Sequence, residues 1–163
     1  MSFTLEKVSL YGQLGWASDD LNFGLGAGGG YTLRQGIYIG GIADYWFGTS
    51  QTVTPIPGAE MSATAHGFDL FAVGGYDFGM TPKLVLRPYA GIGVFFASGE
   101  ACTTTPTSPT ETCVSTSGSK GAGTLGGQVL YDVGSLFVGG GLRFILVSGD
   151  VAVAMNAAAG GTF

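Results

Sequence analysis

Charge is scarce in this chain. Lys and Arg together number 6 and Asp and Glu 11 among 163 residues, so 10% are charged, where a soluble domain usually carries about 25%. The net charge is −5 and no basic stretch occurs, which excludes a nucleic-acid partner. A transmembrane helix needs roughly 20 consecutive apolar residues. The apolar runs are instead as short as Phe144-Ile145-Leu146-Val147. Histidine occurs once and cysteine twice, and no His lies near the cysteines in sequence to complete a zinc site. Glycine is plentiful, with 31 residues against a usual share of about 7%. The glycines follow no three-residue period, so collagen is excluded. Disorder is excluded as well, because 45% of the residues are hydrophobic and 12% aromatic. A positive mean hydropathy with little charge points to a membrane.

Without a helical span, the way to satisfy every backbone group in lipid is a closed β-barrel. Its signature is a series of segments of about ten residues that alternate apolar and polar. Eight such segments occur: Val8 to Ala17, Leu21 to Leu33, Ile37 to Phe47, Phe68 to Phe78, Leu84 to Phe96, Thr124 to Val133, Leu136 to Leu146 and Val151 to Phe163. None of the residues on their apolar faces is charged. Asp44, Asp69, Asp77, Arg87, Asp132 and Arg143 all fall on the opposite faces. A charge on the lipid face near the midplane costs roughly 2–4 kcal/mol, so a bilayer enforces this segregation. A soluble barrel would put its polar residues outside. The expected fold is therefore an all-β, eight-stranded, antiparallel, up-and-down transmembrane barrel filling residues 1–163, its first strand paired with its eighth.

Connections alternate in length. Arg34-Gln35-Gly36, Gly79-Met80-Thr81-Pro82 and Gly134-Ser135 are tight turns with Gly or Pro at the bend. Residues 48–67 and 98–123 are expected to be long extracellular loops, and the connections at Asp19-Asp20 and Ser148-Gly149-Asp150 short ones. Short turns on one side and variable loops on the other match the two ends of an outer-membrane barrel, which puts both termini in the periplasm. Aromatic residues gather at each end, as interfacial girdles require.

The eight segments, the stretch Arg87-Pro88-Tyr89-Ala90-Gly91-Ile92-Gly93-Val94-Phe95-Phe96 and the terminal Phe163 resemble the OmpX/OmpA-type outer-membrane β-barrel family over the whole chain. The resemblance implies the outer membrane of a Gram-negative-type bacterium. It also implies contact with outer-membrane lipid and lipopolysaccharide, and a role for Phe163 as the signal read by the barrel-insertion machinery. Gly161 and Ala159 are smaller than the residues that usually precede such a signal. The start, Met1-Ser2-Phe3, shows no basic-then-apolar leader and reads as a mature or recombinant form.

Four groups of residues bear on chemistry. Cys102 and Cys113 bracket a Ser/Thr/Pro-rich stretch and are expected to form a disulfide, which an oxidising compartment permits. Gly24-Leu25-Gly26-Ala27-Gly28-Gly29 fits the dinucleotide spacing, yet no helix follows to face a phosphate. The glycines read instead as room for inward Tyr38, Trp46, Phe71, Tyr89, Phe95 and Phe137. His66 near Ser62 and Asp69 matches no hydrolase spacing. Asp44, Asp69, Asp77, Arg87, Asp132 and Arg143 must pair inside a narrow lumen, because unpaired buried charge is costly. No catalytic residue, metal or cofactor is expected. The leading functional expectation is a non-enzymatic barrel that acts through exposed loops in surface interaction, envelope integrity or docking of a protein partner. A small-solute channel and an accessory subunit docked through the outer wall are the alternatives.

Overall fold

The computed structural model describes residues 6–18, 21–56, 59–105 and 108–163. The chain forms strands β1 (Lys7–Ala17), β2 (Asn22–Thr32), β3 (Ile37–Trp46), β4 (Ser50–Ile56), β5 (Ala59–Tyr76), β6 (Phe78–Thr81), β7 (Leu84–Thr105), β8 (Ser108–Val133), β9 (Leu136–Val147) and β10 (Asp150–Thr162). No helix occurs among the described residues. Eight strands are the staves of a closed antiparallel barrel, running β1-β2-β3-β5-β7-β8-β9-β10. β10 returns to β1, with Leu10 opposite Gly161 and Trp16 opposite Met155. Short β6 pairs with the start of β7.

Two hairpins show how the turn residues set the register. Ser148 and Gly149 both have positive φ (51° and 99°) between paired Val147 and Asp150, the backbone of a type I′ turn, whose twist matches that of the strands. Gly134 alone is positive (φ 94°) in the two-residue link between Val133 and Leu136. The Asp19-Asp20 connection lies outside the described residues.

The alternation has an apolar side turned outward. Leu10, Leu14, Ile39, Leu70, Leu125, Val138 and Leu142 are all exposed, as is Ile92 at 78%. In water that surface would be untenable, whereas in lipid it is the required one. Aromatic rings bunch at both ends of the staves. Phe23 stacks on Phe47, and Phe68 faces Phe96 at 6.0 Å, at one end; Tyr76 meets Phe78 at 4.6 Å at the other. Between the rings the wall thins. Near the middle of the part of each stave below the rim a glycine or alanine faces outward: Gly12, Ala27, Gly41, Ala72, Ala90, Gly127, Gly140 and Ala157.

The two stretches expected as loops are not loops. Most of 48–67 is β4 and the first half of β5, and most of 98–123 is the upper part of β7 and β8. Their Ser, Thr and Val residues keep the period of two beyond the bilayer, and β-branched side chains favour extended backbone. The staves therefore grow into a four-stranded ribbon, β4-β5-β7-β8, standing off one rim of the barrel. Its outer edge along β8 is free of β9 as far as Ala122, where pairing with Val147 begins.

Candidate functional site

Two places concentrate side chains capable of function: the lumen and the ribbon. In the lumen, period-two alternation aims the charges inward, and the register gathers them at two levels. Asp44 and Asp69 are directly paired across β3 and β5. Arg143 on β9 reaches both, at 2.7 Å to Asp44 and 3.1 Å to Asp69. Gln13 donates to Asp44 at 2.6 Å, Asn156 donates to Gln13 at 2.7 Å, and the Trp46 indole N–H donates to Asp69 at 2.8 Å. The Arg143 guanidinium lies 5.8 Å from the Trp46 ring and 5.7 Å from Phe71. All three charged groups are buried.

The second level lies nearer the turn end. Arg87 grips Asp77 with two bonds, Nε at 2.6 Å and Nη2 at 2.9 Å. Thr32 donates its hydroxyl to the same carboxylate at 3.0 Å. The fork is bidentate, the geometry that carries both strength and orientation. Arg87 lies 3.7 Å above the Tyr38 ring and is wholly buried. Tyr11, Val85, Leu130, Phe137 and Ala158 form one packed cluster; Ile42, Trp46, Phe71, Tyr89 and Ile145 form another, which Tyr38 joins from beneath Arg87.

Glycines opposite these groups make room for them. A Cβ at Gly26 would strike the Asp44 carboxylate, and one at Gly28 the Tyr11 ring. The Gly24–Gly29 run is thus the interior of a strand, with no helix following it and large side chains lying against its inward glycines.

Asp132 stands apart from the other lumen charges. Its carboxylate accepts from the Gly134 N–H at 2.8 Å, so it caps the tight turn after β8. Among the described residues it joins no ion pair. The physical reason is position: at the strand end a carboxylate meets a free turn amide before it meets a guanidinium. The neutral partners Gln13 and Asn156 were not picked out from the sequence. Their parity, opposite Leu14 and Met155, was the available signal.

Ser62, His66 and Asp69 do not converge. His66 lies on the outward face with Phe68, its Nδ1 3.1 Å from the Phe47 carbonyl oxygen, whereas Asp69 is inside with Arg143. Phe163 lies at the barrel seam. Its N–H donates to Val8 at 2.9 Å and its carbonyl accepts from Val8 at 3.0 Å, with the ring 78% exposed on the outside.

On the ribbon, Cys102 and Cys113 are directly opposed on β7 and β8 and form a disulfide. The bond joins two paired strands as a rung near the ribbon's far end. The ribbon has two unlike faces. Rows such as Ser50–Thr64–Glu100–Ser115 and His66–Ser98–Ser117 are polar. The alternate rows are Gln51–Ala63–Ala101–Val114 and Val53–Met61–Thr103–Thr112. These continue the lumen-facing side, and Val53, Met61 and Val114 are 58%, 51% and 68% exposed.

No curated protein matches the sequence. Solved structures match the fold along its whole length. Ail, the attachment invasion locus protein of Yersinia pestis, is 11% identical with a TM-score of 0.57, covering 96% of this chain and 97% of that one. The N-terminal β-barrel domain of Pseudomonas aeruginosa OprF is 16% identical with a TM-score of 0.55, covering 98% of each chain. Neisserial surface protein A is 15% identical with a TM-score of 0.57, covering 96% of each. These likenesses support an outer-membrane barrel of eight strands. They do not single out the OmpX/OmpA type. The family that matches the sequence itself is described as the autotransporter beta-domain, over residues 2–162. With lipid-facing walls, paired charges in the lumen and a closed ring of eight staves, the chain belongs to the autotransporter beta-domain family.

Proposed function

We propose that this outer-membrane barrel, of OmpX/OmpA-type architecture, is a non-enzymatic surface-recognition protein. Its ribbon projects outside the cell and both termini lie in the periplasm. The observation that carries this reading is the uncovered apolar face of the ribbon at Val53, Met61 and Val114, on a sheet braced by the Cys102–Cys113 bond. Exposed apolar patches on a rigid support mark interaction surfaces. The partner is a protein surface rather than a sulfated polyanion. Ail has been solved with the heparin analogue sucrose octasulfate, but the described ribbon residues here offer Glu60, Glu100 and Lys120 and no cluster of cations. Lipid and lipopolysaccharide meet the aromatic rings, and Phe163 at the seam is the residue the barrel-insertion machinery reads.

The channel reading is disfavoured by the packing. An eight-stranded barrel has an interior that side chains can just fill, and two levels of ion pairs and aromatic rings occupy it. The accessory-subunit reading has the outward glycines in its favour, yet small residues occur on lipid faces without partners.

The test pairs adhesion with conductance. Cells displaying the intact chain, and cells displaying a barrel with the ribbon cut back to the rim, are compared on surfaces coated with serum proteins. Adhesion lost with the ribbon, together with a closed record from the refolded protein in a planar bilayer, is the expected result. Equal adhesion by both, or discrete reproducible openings, would overturn the proposal.

A further inference from the structure

We propose that the ribbon-end mouth of the barrel is a binding site for a single-chain amphiphile with an anionic head group. The site is a cavity of about 700 Å³ lying above the Arg143 level, within the ~300–1,000 Å³ range of small-molecule pockets. Below it the lumen is charged and aromatic. At the mouth the inward side chains become aliphatic: Leu21, Ile145, Val147 and Ala152, with Phe95 on the facing wall. Ile145 is buried among Trp46, Phe71 and Tyr89, so the floor is continuous with the packed interior. The result is a cup, closed below, open above and notched at the side between Ser119 and Val151, where β8 has parted from β9. An apolar concavity turned toward water is unfavourable unless something apolar occupies it.

The head-group chemistry comes from register. Lys120 on β8 is paired with Phe95 on β7, which turns its side chain to the lumen side of the wall, where it lines the cup. It takes part in no ion pair among the described residues. Asp150, the other charge on the lining, stands at the start of β10, across the gap where β8 has parted from β9. An alkyl chain therefore enters between Phe95 and Val147, its anionic head held on the β8 side by Lys120 and kept from the β10 side by Asp150. This site goes beyond recognition by the ribbon and stands whether or not the ribbon binds a protein.

The barrel in phosphatidylcholine nanodiscs is titrated with carbonyl-labelled dodecanoate and read by NMR, which separates a protein-bound head group from one dissolved in the bilayer. A saturable bound signal is expected. Lys120→Ala should weaken it about tenfold, the size of one lost charge-assisted bond. Asp150→Asn should leave it equal or tighter, and Ala152→Trp should abolish it by filling the cup. Each variant is first shown to fold by its heat-dependent gel shift, with Ala97→Trp as the second blocking variant should Ala152→Trp fail that check. Binding of dodecanoate alone identifies free fatty acid as the source, and binding of lysophosphatidylglycerol alone identifies a lipid. Absence of saturable binding with both probes, binding unchanged in both blocking variants, or dodecanol bound as tightly as dodecanoate would each overturn the proposal.

Discussion

The barrel interior and the ribbon are built from the same strands and obey opposite rules. Below the rim, β5, β7 and β8 contribute Asp69, Arg87 and Gln128, every one buried. Above it the same face of the same strands carries Ala63, Ala101 and Val114, every one exposed. Inside, each side chain has a specified neighbour, and glycines are spaced to admit rings. Outside, the rows of the sheet meet solvent and are held by backbone pairing. The contrast teaches that strand continuity does not imply uniform constraint. Desolvation, present below the rim and absent above it, decides which substitutions matter.

The largest effect should come from breaking the interior. Arg143→Ala leaves Asp44 and Asp69 facing one another without their shared cation. Removing one member of a buried ionic group costs about 3–5 kcal/mol, to be read from urea unfolding in lipid. Arg87→Ala should fall in the same range, since Asp77 loses both bonds. Next comes overpacking. Gly28→Val drives a branched side chain into the Tyr11 ring, for about 1–3 kcal/mol, seen as a lower unfolding midpoint. Gly74→Ala is its control: nothing lies within 4 Å of a Cβ there, so stability should stay within about 0.5 kcal/mol. Smallest for the barrel is Cys102→Ser with Cys113→Ser. The unfolding midpoint should hold within about 0.5 kcal/mol, while proteinase K trims the ribbon faster than in the bonded protein. A midpoint that fell with the disulfide would show the ribbon and barrel to be one cooperative unit, and the contrast would fail.

Much of the barrel was legible because lipid enforces a binary rule. Val8 through Trp16 show it in miniature, and one charge on that face would have broken it. The staves below the rim begin and end within a few residues of where alternation places them. The ribbon was not legible in the same way. Residues 98–123 keep their alternation, but in Ser, Thr and Gly, residues that a polarity reading assigns to loops. What makes them strands is mutual pairing across β5, β7 and β8, a long-range property that no local window contains. The inward Asp44 and Arg143 could be found by parity. That both carboxylates meet one guanidinium, and that Asp132 turns to its own hairpin, depended on register, which the pattern leaves open by steps of two.

The thin midpoint of the wall has a consequence for how the molecule sits among lipids. With bulky rings at both ends of the part below the rim and a glycine or alanine near the middle of it on each stave, the outline is that of a spool. Its narrowest girth falls where the tail ends of the two leaflets meet. Sliding the spool along the membrane normal would lift one set of rings into water and sink the other into hydrocarbon, so the outline itself pins the depth. Two such spools brought side by side touch at their flanges, and a lens of lipid tails stays trapped between them.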